Sequence, residues 1–253
     1  MKKMLIVFCA LALISAVASA QIGITSRGDT GHQPKVQAPQ PAYCSPCLFY
    51  SGDLDPNNPN LNALNNYNSI YGESQVYVAI APAVTTIVNR FGVVKVEKTA
   101  TVTELVFNEL ATGVSDFTGS TYDVRTDISK GYGGTEVATG NCTVSGDVPT
   151  GRAYGSFTEY SFECAIPAVA LHAGTEYWVN VTPNFNNGNS AYLSDSEDQP
   201  PLNAYNSGDG GLWGNVDDAS YFQSPTEYGY TWAEATPLLN GCDEFSIAVV
   251  GKY

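Results

Sequence analysis

Cys44-Ser45-Pro46-Cys47 spaces two thiols as redox and metal motifs do. Redox work requires the first thiolate to be activated at a helix N-terminus that follows a strand. The flanks QAPQPAY and LFY show neither, and no second C-x-x-C completes a zinc site. A structural disulfide is therefore the expected use. Cys142 and Cys164 lie on the two segments flanking the Val148–Gly151 turn and are expected to meet across neighbouring strands. Cys242 could then tie the last strand to Cys44 or to Cys47, which leaves one thiol over.

Asp53, Asp55 and Asn57 alternate like the opening of a calcium loop. Asn58 stands where a helix–loop–helix calcium site needs glycine, and Leu64 where it needs a bidentate glutamate, so that site type is excluded. An oxygen-rich loop holding a structural Ca²⁺ stays open beside the plainer reading of Asx-turns. The two histidines, His32 and His172, have no G-x-S-x-G nucleophile to serve, and no serine-hydrolase triad is expected. Glu159 and Glu163 share a strand face at a separation of roughly 13 Å by strand rise. That is too wide for a glycosidase carboxylate pair. No catalytic residue is assigned, and the chain is expected not to be an enzyme.

The aromatic residues Trp213, Tyr221, Phe222, Tyr228, Tyr230 and Trp232 crowd a segment otherwise rich in Gly, Asp and Asn. Flat rings that stack on pyranose C–H faces, beside carboxylates and amides that bond hydroxyls, make a sugar site. Trp213, Tyr221, Tyr228, Tyr230 and Trp232 are the candidate ligand-binding residues. The alternative is that the rings cap the open end of the fold, since aromatics supply large buried area.

What positions these groups is legible further out. Residues 1–20 have the three parts of a secretory signal peptide: Lys2 and Lys3, an apolar stretch from Leu5 to Val17, and Ala18-Ser19-Ala20. The chain is expected to be exported, starting near Gln21, into a compartment where disulfides are the default. Residues 21–43 lack periodicity, carry three prolines and read as an extended arm. Residues 51–69 read as a long Asp/Asn/Pro loop. Strand alternation follows, at Val76/Val78/Ile80, Leu105/Phe107, Tyr122/Val124/Ile128, Tyr160/Phe162/Cys164/Ile166, Tyr177/Val179/Val181 and Phe245/Ile247/Val249. Residues 44–253 are thus expected to form one all-β domain, an antiparallel two-sheet β-sandwich of jelly-roll type. Long rim loops and short strands are expected over 184–240.

The formal charge of −14 argues against nucleic acid and anionic lipid as partners, since phosphate binding needs clustered Lys and Arg. No other apolar run approaches the roughly 18–20 residues of a membrane helix, so no transmembrane segment is expected.

The segments GDLDPNNPN, YDVRTDI, GYGGTEVATG, PTGRAYGSFTEYSF and LHAGTEYWVNVTP resemble secreted, uncharacterised bacterial β-sandwich proteins. The strand Gly174–Trp178 is similar to sandwich domains of surface-anchored bacterial proteins. The likeness covers about residues 51–183 at the level of fold. It implies an exported bacterial protein with an accessory or surface role, without the anchoring tail, and carries over no catalytic residue. Two functions are expected from these observations. The first is an extracellular binding domain for a polysaccharide or cell-surface ligand. The second is a structural or adhesive subunit that self-assembles through the arm at 21–43.

Overall fold

The structure is a computed structural model that describes residues 47–54, 63–82, 85–89, 92–96, 99–196, 213–215, 220–239 and 245–253. Residues 1–43, where a signal peptide and an arm are expected, and with them Cys44, Asp55, Asn57 and Cys242, lie outside the described residues.

Two sheets pack face to face. The first runs in the order β1 (Cys47–Tyr50), β17 (Ile247–Lys252), β7 (Ala100–Ala111), β11 (Phe157–Leu171) and β10 (Thr143–Tyr154). It is extended by β13 (Ala191–Ser194) on β7 and by β2 (Ala63–Asn65) on β13. The second runs β16 (Tyr230–Glu234), β15 (Tyr221–Ser224), β4 (Gly72–Pro82), β3 (Tyr67–Ser69), β12 (Tyr177–Phe185), β8 (Phe117–Thr126) and β9 (Thr135–Asn141). Strand β14 (Trp213–Asn215) pairs with β4 near its far end, and β5 (Thr85–Asn89) with β6 (Gly92–Val96) forms a separate hairpin. The all-β two-sheet sandwich is thus present. Among the described strands one pairing is parallel, Asn68 and Ser69 of β3 beside Asn184 and Phe185 of β12.

The core follows from period-two alternation, which sends every second side chain inward. Val76, Val78 and Ile80, with Val179 and Val181 of the same sheet, face Leu105, Phe107, Phe162, Ile247 and Val249 across the sandwich. Burial of such side chains at about 1.5–3 kcal/mol each is the main favourable term. The outer faces are not uniformly polar. Tyr77, Ala79, Ile128, Trp178 and Trp232 form a second apolar cluster on the outside of the second sheet. Here the alternation read from the sequence breaks. Tyr122 and Val124 point into the core, but Asp127 is left-handed (φ 59°), ends the strand and turns Ile128 to the other side.

The loop expected at 51–69 contains two strands, because Leu64 and Tyr67 bury their side chains while the asparagines between them find hydrogen bonds. Asn66 sits where the chain crosses from one sheet to the other. Its Nδ2 donates to Glu109 at 2.5 Å and to the Val181 carbonyl at 2.7 Å. Its Oδ1 accepts from Val76 N at 3.1 Å and from Asn180 Nδ2 at 3.0 Å. One side chain therefore links β7, β4 and β12 through the middle of the sandwich. A disulfide joins Cys142 to Cys164, as the spacing leads one to expect, and clips the β9–β10 crossover onto β11. No helix among the described residues is long and apolar enough to cross a membrane.

Candidate functional site

Strand direction gathers four connections at one end of the sandwich: the β3–β4 turn, residues 112–116, residues 186–190 and residues 225–229. The first of these departs from ordinary turn chemistry. Ser69 pairs with Gly72, so Ile70 and Tyr71 are the corner of a two-residue hairpin. That corner favours Asn, Asp and Gly with positive φ. Neither Ile70 nor Tyr71 has positive φ, and both project outward, 68% and 70% exposed. Large apolar side chains at such a position cost solubility and contribute nothing to the core. Local rules are broken in this way mainly at functional sites.

The Tyr71 ring is held in place. Gly188 is left-handed (φ 79°), and a Cβ there would lie 1.9 Å from Cε2 of Tyr71, so the ring rests directly against bare backbone. The Tyr71 amide donates to Ser69 Oγ at 3.1 Å and fixes the turn from below. Buried Asp116 organises the neighbouring loop. Its carboxylate accepts from the Asn187 amide at 2.6 Å and from Asn189 Nδ2, and its carbonyl accepts from the Asn186 amide at 3.1 Å. Asn186 and Asn187, just before Gly188 in the chain, are exposed.

On the other flank, Glu227 packs against Gly72, where a Cβ would meet its own Cβ at 3.0 Å. Both Glu227 oxygens accept from Tyr67 Oη, at 2.7 and 2.9 Å, and one lies 3.3 Å from Ser74 Oγ. Burial, and then the Glu227 carboxylate, push the Tyr67 hydroxyl well above the usual tyrosine range, and Tyr228 is shifted the same way for the same reasons. These phenols stay neutral donors. Burial also raises Glu73, next to the turn. The four loops contain no Lys, Arg or His.

The aromatics singled out from the sequence are distributed differently. Tyr221, Tyr228, Tyr230 and Trp232 lie on the β15–β16 hairpin but divide between its two faces. Tyr228 and Tyr230 pack with Phe222 against the main core, while Tyr221 and Trp232 join the outer cluster. Trp232, 8% exposed, packs tilted against Tyr77 with ring centroids 4.9 Å apart and lies under the Arg125 guanidinium at 5.3 Å. Its backbone is left-handed (φ 51°), and its carbonyl accepts from Gly131 N at 3.0 Å. Trp213 begins β14, its backbone paired with Pro82. Among its described residues, the segment 184–240 supplies β13 on β7, β14 on β4, the β15–β16 hairpin at the edge of the second sheet and the 186–190 and 225–229 connections.

The carboxylates weighed for calcium binding and for glycosidase chemistry are also placed. Asp53 accepts from Tyr50 and pairs with Arg152 at 3.1 Å; Arg152 in turn binds buried Glu159. Burial raises Glu159 despite the opposing pull of Arg152. Among the described residues no group of three or more His, Cys, Asp or Glu side chains gathers as a metal site would require.

Fold and loop end together define a two-sheet sandwich with an outward aromatic corner. Comparison of the chain with family models, curated proteins and solved structures finds no match.

Proposed function

We propose that this is an exported bacterial, non-catalytic β-sandwich that binds carbohydrate at the loop end built around Tyr71. The observation that carries the reading is the Ile70-Tyr71 corner, a large ring left in solvent yet pinned against Gly188. A fixed ring loses little rotamer freedom on binding, so contact with a sugar face converts into affinity. Asn186 and Asn187, exposed just before Gly188 in the chain, and Glu227, packed on Gly72, supply groups that can bond hydroxyls. The signal-peptide pattern at 1–20 and the likeness to exported sandwich domains support an extracellular setting. A structural calcium at Asp53, Asp55 and Asn57 remains part of this proposal only as an aid to loop order, since Asp53 already serves Arg152.

The test is a glycan and polysaccharide screen on the purified protein, run with calcium and with chelator. Specific, saturable binding is the expected result; a negative screen on folded protein would remove this reading.

One observation favours the adhesive subunit as a second reading. Strand β9 pairs with β8 alone among the described strands, and most of its residues, Val137 included, are exposed. An open edge of this kind accepts another strand. Concentration-dependent polymers lost on deleting 21–43 would establish it.

A further inference from the structure

Resting on the carbohydrate reading, we infer that the loop end selects uncharged glycans whose pyranoses carry equatorial hydroxyls, such as β-linked glucose or xylose chains, and rejects polyuronates and sulfated glycans. Three observations lead there.

The first is the ring. Tyr71 stands on an exposed hairpin corner, backed by Gly188, with most of its flat ring in solvent. A β-linked glucose or xylose unit has all its ring hydroxyls equatorial, which leaves axial C–H bonds as a flat apolar face. The negative π-face of an aromatic ring matches that C–H surface. An axial hydroxyl puts oxygen against the ring on the face that bears it and leaves at most the opposite face to stack.

The second is charge. Glu73 and Glu227 flank the corner and Asp116 lies beneath the neighbouring loop, while residues 70–71, 112–116, 186–190 and 225–229 contain no Lys, Arg or His. A carboxylated or sulfated glycan would bring its anions to carboxylates with no cation to pair them. The overall charge of −14 adds repulsion at longer range.

The third is the type of hydrogen-bonding group on offer. Amides of Asn186 and Asn187 both donate and accept, and Glu227 accepts. That set suits sugar hydroxyls, which also do both. It lacks the guanidinium forks that recognise carboxylate or sulfate.

Affinity electrophoresis of the full-length exported protein tests this, with gels containing β-glucan or xylan and, separately, polygalacturonate or alginate. The wild type, Tyr71→Ala, Tyr71→Phe and Tyr132→Ala are compared, each first checked for an unchanged melting temperature. Tyr132 is an exposed tyrosine (57%) on the 127–134 loop, away from the corner. The expected result is retardation by neutral glycan only, unaffected by added salt. Tyr71→Ala should weaken it at least about tenfold, while Tyr71→Phe and Tyr132→Ala retain it. Retention on polyuronate that depends on Tyr71 would overturn this inference and leave the carbohydrate reading standing. Neutral-glycan retention indifferent to Tyr71 would overturn the site. Retention on no glycan would overturn both.

Discussion

Tyr71 lies so close to Gly188 that a single added methyl group at residue 188 would meet the ring at 1.9 Å. Tyr71 belongs to the β3–β4 turn and Gly188 to the β12–β13 connection between the sheets, so the contact couples that turn to the loop ordered by Asp116. Tyr71→Ala removes a ring that is mostly in solvent, and stability should change by less than about 0.5 kcal/mol. Gly188→Val combines a clash with a strained positive φ and should cost more than about 1 kcal/mol. Both should lose glycan binding. Urea unfolding alongside a binding assay separates the two effects.

Trp232 behaves in the opposite way. It is almost fully buried between Tyr77, Arg125 and the 131–133 segment, where a Cβ on Gly133 would approach its ring to 2.5 Å. Trp232→Ala should destabilise by about 3–5 kcal/mol through the cavity it leaves. Where the variant remains folded, glycan affinity should be unchanged, as a titration below its melting temperature would show.

Glu109 is fully buried between the sheets, and burial raises its carboxyl well above the usual range against the opposing hydrogen bond from Asn66. The folded state therefore holds a proton that the unfolded chain releases near the ordinary glutamate value. Stability is greatest below that value and falls as pH rises from there toward the folded-state value, by up to about 1.4 kcal/mol per pH unit for one proton. Glu159 is raised too and adds a slope of the same sign. Glu109→Gln keeps the acceptor for Asn66 and removes the titration. Denaturant unfolding from pH 4 to pH 9 should show a shallower decline in this variant than in the wild type.

The Cys142–Cys164 bridge spans 22 residues and joins the chain where it passes between sheets. Closing a loop of that size contributes about 3 kcal/mol by restricting the unfolded chain. Cys142→Ser with Cys164→Ala should lower stability by that order, and adding reductant to this double variant should produce no further loss from this bridge. Calorimetry with and without reductant checks it.

Much of the sandwich is readable from alternation. Val76/Val78/Ile80, Tyr177/Val179/Val181 and Phe245/Ile247/Val249 face the core because period two leaves them no other choice. Ile128 escapes that reading because one left-handed residue, Asp127, reverses the face, and nothing in YDVRTDI announces it. Strands β2 and β3 are hidden for a different reason. Asn65, Asn66 and Asn68 look like loop residues until the partners of Asn66 in both sheets are known. The rings at 221–232 drew notice through their density, yet density alone does not distinguish a covering layer from a platform. Pairing onto β4 turns Phe222 into the core and lays Trp232 over Tyr77. The signal for the loop end is small: Asn68-Ser69-Ile70-Tyr71-Gly72 sets two apolar residues where a tight turn prefers polar ones. It acquires meaning only once Ser69 and Gly72 are seen to pair.

Hydroxyl-radical footprinting of the protein with and without a neutral β-linked glycan tests the proposed site most directly, because it reports solvent exposure residue by residue. Protection is expected at Ile70 and Tyr71 and across 186–189, with Tyr132 unchanged. Protection confined to Tyr221–Trp232, or none at Tyr71 under saturating glycan, would contradict it.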